Sequence, residues 1–266
     1  MSQKSITEVK SILGEATQEG VISKKTLQII DINDAIIAGI DGIDADEIMA
    51  TDVTLFTLII DNTGSIRFAG LTDTIREGQN LILDAFINSK QKDNILIAQW
   101  KLGDEAELIH SYVLVEQAER LTKSNYNPQS GTALYDVWME VLMANIIYAQ
   151  KLKSKGTPVK SIVVVITDGQ NTSSRKYGVS DCDRINKEVL KSEQFIVAFV
   201  GVGNDAKDAA AFMLIAQEMG FPDGSILTTD ATESELRKAM GFVSRSALRA
   251  SQKAITPAGQ NSFFNP

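Results

Sequence analysis

From Asp52 onward the chain alternates between two hydrophobic textures. Short β-branched runs at 53–60, 94–100, 108–113, 161–167, 195–200 and 225–228 read as buried strands. Between most of them, apolar residues recur every three or four positions, as on one face of a helix. Leu71, Ile75, Gly78, Ile82, Ala85 and Phe86 form one such face. Leu134, Val137, Trp138, Val141, Leu142 and Ile146 mark a long amphipathic helix that begins just after Thr132. Further helices are predicted near 181–192 and 206–218. A last one starts at the capping box Thr232-x-x-Glu235 and presents Leu236, Met240, Val243 and Ala247. A tight Gly103-Asp104 turn joins the second and third strands. This order predicts a Rossmann-like, open α/β sheet of six mostly parallel strands with helices on both faces.

The first fifty residues have a different texture. Ile6, Val9, Ile12, Leu13 and Ala16 fall at helical spacing, with Ser5-x-x-Glu8 as a possible capping box. Gly20 breaks this helix and a second helical stretch is expected over 24–37. Both are too short to be stable alone in water, so they are expected to pack on the domain or on a partner. The acidic run Asp41, Asp44, Asp46 and Glu47 lacks the glycine and the distal glutamate of an EF-hand loop and reads as a solvated loop. The last residues, 254–266, carry two prolines and Phe263-Phe264 and read as disordered, or ordered only by docking. The expected division is a helical extension at 1–50, an α/β domain at 51–250 and a flexible tail at 251–266.

Two of the buried runs end abruptly in an acid. Asp61-Asn62-Thr63-Gly64-Ser65 follows the first strand, and Thr167-Asp168-Gly169 ends the fourth. A third stretch, Ser130-Gly131-Thr132, precedes the long helix. In an open α/β sheet, ligands sit at the C-terminal edge of the strands, where these stretches would converge. Two carboxylates and three hydroxyls there make a hard oxygen site, suited to Mg²⁺ or Mn²⁺ rather than to zinc.

Asp61-x-Thr63-x-Ser65, then Thr132, then Asp168, resembles the metal-ion-dependent adhesion site of von Willebrand factor type A domains, over roughly residues 50–245. That family usually has Ser where this chain has Thr63, which keeps the hydroxyl and adds a methyl group. Gly131 and Gly169 also fit the pattern as points of backbone freedom beside the ligands. The resemblance implies that Thr63 and Ser65 ligate directly and Thr132 directly or through water. Asp61 and Asp168 would act mainly through water or as acceptors behind the ligands. It implies no catalysis, but a cation left electrophilic enough to take an Asp or Glu side chain from a protein partner. Its bacterial intracellular members imply an adaptor role, with an AAA+ ATPase-associated complex as a setting.

Composition narrows the classes. The formal charge of -8 argues against a general nucleic-acid or anionic-membrane surface. No apolar run approaches the ~20 residues of a membrane helix, and the first residues show no signal-peptide core. The single cysteine, Cys182, excludes an internal disulfide framework. A cytoplasmic location is expected.

Other readings compete. Asp61-Asn62-Thr63-Gly64-Ser65 also resembles the phosphorylated Asp-Lys-Thr-Gly-Thr motif of ion-pumping ATPases in the haloacid-dehalogenase-like superfamily, with Asp61 as nucleophile of a Mg²⁺-dependent phosphohydrolase or phosphotransferase. Asn at 62, Thr172 where a second Asp belongs, and no placed lysine oppose it. A bound metal could also be a purely structural staple. Gly201-Val202-Gly203-Asn204-Asp205-Ala206 matches a dinucleotide fingerprint, but on the fifth strand instead of the first, which favours a steric role. His110 lacks partners for zinc, and Cys182, between Asp181 and Asp183, is expected to be unreactive. Arg175-Lys176-Tyr177 reads as a solvated loop able to meet an acidic partner, and Trp100 and Trp138 as core.

Overall fold

Residues 3–265 are described by the structure, a computed structural model. Its sheet contains β1 (Val53–Asp61), β2 (Ile95–Leu102), β3 (Ala106–Leu114), β4 (Val159–Thr167), β5 (Phe195–Gly203) and β6 (Ile226–Asp230), in the order β3-β2-β1-β4-β5-β6. All pairings are parallel except β2 with β3, which a short hairpin closes as an antiparallel edge. The central strands are buried on both faces, which explains their near-continuous apolar character.

Alternate residues divide the core. Ile59, Trp100, Val163, Val165, Val197 and Phe199 face one helical layer. Leu58, Ile60, Ile97, Val164, Ile166 and Val200 face the other. The second layer is α5 (Thr72–Ile87) and α9 (Glu233–Ser251), packed side by side. Met240 fits there because Gly78 has no side chain: a Cβ on Gly78 would fall 2.6 Å from Met240 Cγ. The first layer is α6 (Leu134–Ser154), α7 (Val179–Lys191) and α8 (Ala206–Glu218).

The extension is built into that first layer. It comprises α1 (Gln3–Gln18), α2 (Lys24–Ile29) and α3 (Asp34–Gly39). Ser5 lies inside α1 instead of capping it, and its side chain falls outside the described residues. Gly20 ends the first unit with a positive φ of 77°. The single helix expected over 24–37 is two helices. Ile30 is extended, and Asn33 accepts the Ile36 N–H as a new N-cap, a role that asparagine performs better than helix propagation. α1 and α3 lie on α6, which is consequently buried almost all round instead of being amphipathic. A Cβ on Gly39 would fall 2.4 Å from the Trp100 ring and 2.8 Å from Ala144, so α3 sits as close as backbone allows.

The tail, read from sequence as disordered or ordered only by docking, is packed against the domain. α10 (Pro257–Gln260) places Gln260 to donate to the Leu190 and Phe195 carbonyls, both at 2.8 Å. Phe263 and Phe264 are buried, the Phe264 N–H donates to the Gly224 carbonyl, and Arg249 donates to Phe263 O at 2.5 Å. Two aromatic side chains supply enough apolar area to hold a segment whose local composition reads as loop. Phe263→Ala is therefore expected to cost about 3–5 kcal/mol in urea unfolding; a loose tail would show no change.

Among the described residues, no helix is long and apolar enough to cross a membrane.

Candidate metal site

The strand order reverses between β1 and β4: the chain builds outward to β2 and β3 on one side, and to β5 and β6 on the other. Such a switch point leaves a crevice at the C-terminal ends of the two strands. Asp61 is the last residue of β1 and Asp168 follows the last residue of β4, so one carboxylate stands on each side of the crevice.

Asp61 is fully buried. Its Oδ1 accepts the Thr63 N–H at 2.8 Å, and its Oδ2 accepts the Thr167 hydroxyl at 2.5 Å and the Asp168 N–H at 3.3 Å. Asp61 thus fastens the loop after β1 to the loop after β4. Thr63 ends that turn as the extended residue before α4 (Gly64–Phe68), and Ser65 stands exposed in its first turn. The Thr63 and Ser65 hydroxyls lie 2.8 Å apart, and each stands within hydrogen-bonding distance of Asp168 Oδ1, at 3.3 and 2.8 Å respectively.

Thr132 reaches the same edge by a different contact. Its hydroxyl lies where a Cβ on Gly169 would be only 2.8 Å away. Gly131 likewise gives way to Asp104, whose Oδ1 would be 2.5 Å from an added Cβ. Neither glycine has a positive φ, so what they provide is space for close approach, not unusual backbone conformation.

Three loops are sewn together by backbone bonds. Gly64 N–H donates to Ser130 O, and Thr172 and Ser173 N–H both donate to Thr132 O. Ser130 Oγ donates to Asn62 O. Tyr126, buried in the long connection after β3, donates from its hydroxyl to Asp61 O at 2.5 Å.

The electrostatics are those of a site short of positive charge. Burial, and then the charge of Asp61, push the Asp168 carboxyl up to about 7, while the Ser65 and Thr63 hydroxyls pull it down. Burial also raises Asp61, against its hydrogen bonds from Thr167, Thr63 and Asp168. Among the described residues no basic side chain forms an ion pair with either acid. Nor do three His, Cys, Asp or Glu side chains cluster closely enough to hold a cation. The oxygen set is instead two acids and three hydroxyls. Two unpaired, adjacent carboxylates with hydroxyls turned onto them fit a small, hard divalent ion.

Sequence reading missed the role of one residue near this edge. Asp136, in the first turn of α6, accepts the N–H groups of Arg175, Lys176 and Tyr177 at 2.7–3.2 Å. Lys176 also pairs with Glu140 at 2.7 Å, and Tyr177 is buried, so the loop expected to be solvated is moored along its backbone. An acid in a helix's first turn is so common that it gives no hint of such a role.

The remaining candidates separate from the site. A Cβ on Gly201 would fall 2.6 Å from Phe212 Cβ, and one on Gly203 2.6 Å from Asp208 Cβ, so these glycines admit α8 to the sheet. His110 bonds to Gln99 and to its neighbour's carbonyl, and burial lowers its pKa. Cys182 is buried, and burial first, then Asp181, raises its pKa well above the usual thiol range.

No protein family profile matches the chain, and no curated protein matches it. Solved structures do match in fold. The PilB minor pilin from Streptococcus sanguinis aligns with a TM-score of 0.53 at 12% identity, over 77% of this chain and 63% of that one. The open conformation of the pilus adhesin SpaC from Lactobacillus rhamnosus GG gives 0.53 at 11% identity, over 76% of this chain and 30% of that one. The proximal thread matrix protein 1 from the mussel byssus gives 0.47 at 17% identity, and the chain spans 47% of its length. The six-stranded, mostly parallel sheet with its flanking helices and N-terminal helical extension thus has a Rossmann-like architecture of the von Willebrand factor type A kind.

Proposed function

We propose that the C-terminal edge of the sheet binds Mg²⁺ or Mn²⁺ and, with it, an aspartate or glutamate side chain of a protein partner. The observation that carries this reading is the meeting of Thr63, Ser65 and Asp168 from two loops at an accessible edge, with Asp61 buried behind them. Thr63, Ser65 and Thr132 are the residues that would hold the ion with hydroxyl oxygens, Asp61 and Asp168 supplying the balancing charge. When bound, the ion would supply an electrophilic position open to a carboxylate. Asp61 orients Thr63 through its N–H and fixes the distance between the two loops.

The phosphotransfer alternative is disfavoured by the same geometry. An attacking carboxylate needs an oxygen that a phosphoryl group can reach. Asp61 has no exposed surface, and both its oxygens are engaged.

Calorimetric titration of Mg²⁺ and Mn²⁺ into the metal-free protein tests the reading. One ion should bind per chain, and Ser65→Ala, an exposed change that spares the core, should weaken it at least tenfold. Asp61→Ala should abolish binding. No heat from the wild-type protein with either ion would overturn the proposal. If the ion binds but only raises the melting temperature, and partner affinity ignores it, it is a staple.

A further inference from the structure

Phe68 stands at the end of α4, three residues beyond Ser65, with 84% of its surface exposed. Among the described residues, the other exposed large apolar side chains are Met49, Leu81, Leu214 and Phe242. Met49 precedes β1, at the opposite edge of the sheet, and the other three lie along flanking helices. Phe68 alone of these shares an edge with the candidate ligands. Its ring edge lies over the ligand loop, since a Cβ on Gly64 would come within 3.5 Å of it. The guanidinium of Arg67 lies over one face of the ring, 5.3 Å from its centroid, so the rim carries a cation stacked on an apolar ring. An exposed aromatic with few rotamers, beside a position that seeks a carboxylate, has the character of an interface anchor.

We propose that Phe68 and Arg67 select the partner: the segment that offers its carboxylate to the metal edge also carries an apolar side chain that packs on the Phe68 ring. The partner is thus an acidic protein segment with an aliphatic or aromatic residue next to the ligating Asp or Glu. Arg67 complements its negative charge. The inference rests on the metal-dependent reading of the site.

Two carboxylates that differ in apolar size test it on the full chain loaded with Mn²⁺. Water-proton relaxation reports the loss of metal-bound water when acetate or 3-phenylpropanoate takes its place. In the wild-type protein, 3-phenylpropanoate should act at a concentration about tenfold lower than acetate, through apolar contact with the ring. In Phe68→Ser the two should fall within about twofold of each other, and Phe68→Leu should retain part of the preference. Mn²⁺ affinity should be equal in all three proteins. Equal action of the two carboxylates on wild type, or a preference that survives Phe68→Ser, overturns the inference and leaves the metal reading intact. Failure of the wild-type protein to bind Mn²⁺ overturns both.

Discussion

Replacing Asp168 with asparagine is expected to raise the melting temperature of the metal-free protein at pH 8 while removing its response to Mg²⁺. The folded carboxyl is pushed up to about 7 from an ordinary 3.8, first by burial and then by Asp61. Between those values the folded protein holds a proton that the unfolded chain has released, so stability falls as pH rises through that window. Each pKa unit corresponds to about 1.4 kcal/mol, and partial exposure of the group reduces the full sum. The asparagine variant, which carries no charge, should gain about 2 kcal/mol over wild type at pH 8, roughly 4–8 °C. The difference should vanish near pH 4, where Asp168 is protonated in the wild-type protein. Saturating Mg²⁺ should reverse the order: an ion at 100 times its dissociation constant adds about 2.7 kcal/mol to wild type and nothing to the variant. Scanning calorimetry at pH 4, 6 and 8, with and without Mg²⁺, shows the crossing. Parallel melting temperatures across all conditions would mean that burial and the Asp61 charge do not hold the Asp168 carboxyl up.

Starting the chain at residue 51 is expected to abolish cooperative folding. α6 would expose buried apolar side chains such as Met143 and Ile147 once α1 and α3 are gone, and its contacts from Glu140 to Asn33, Ala144 to Gly39, and Gln150 and Lys153 to Glu19 would be lost. Val9, Leu13, Val21, Ile22 and Ile36 are buried in the same cluster as α6. At roughly 1.5–3 kcal/mol each, these side chains contribute about 8–15 kcal/mol, comparable with the whole stability of a domain. Near-UV circular dichroism and thermal melting should show residues 51–266 without a sharp transition. In the full chain, Leu13→Ala should cost about 2–5 kcal/mol. A truncated protein that melts cooperatively within a few degrees of the full chain would make the extension an appendage.

Both outcomes turn on what local pattern can and cannot encode. The strands were legible because a strand buried on both faces needs a continuous β-branched run, and Asp61 and Asp168 stood out by ending such runs. The helix read at 206–218 is α8, and the structure shows Asp205 capping it through its side chain. The burial of α6 was harder to read. Its first stripe faces the sheet, but Met139, Met143 and Ile147 are equally buried, and only the partner helices explain them. The break at Asn33 hides in a sequence that suits a helix, and is decided by the cap and by Asp31 N–H meeting the Tyr177 hydroxyl. Tyr126 and Asp136 organise the site from 65 and 39–41 positions away, distances over which periodicity carries no information.

The docked tail has a bearing on how this protein can be tethered. Phe264 and Gln260 bond to Gly224 and Phe195, at the N-terminal ends of β6 and β5. The Thr63, Ser65 and Asp168 oxygens lie beyond the opposite ends of the strands. Nine residues of β5 separate the two edges by roughly 30 Å. A linker, label or solid support joined after Phe264 therefore leaves from the pole opposite the ligand loops, and presents them outward by default.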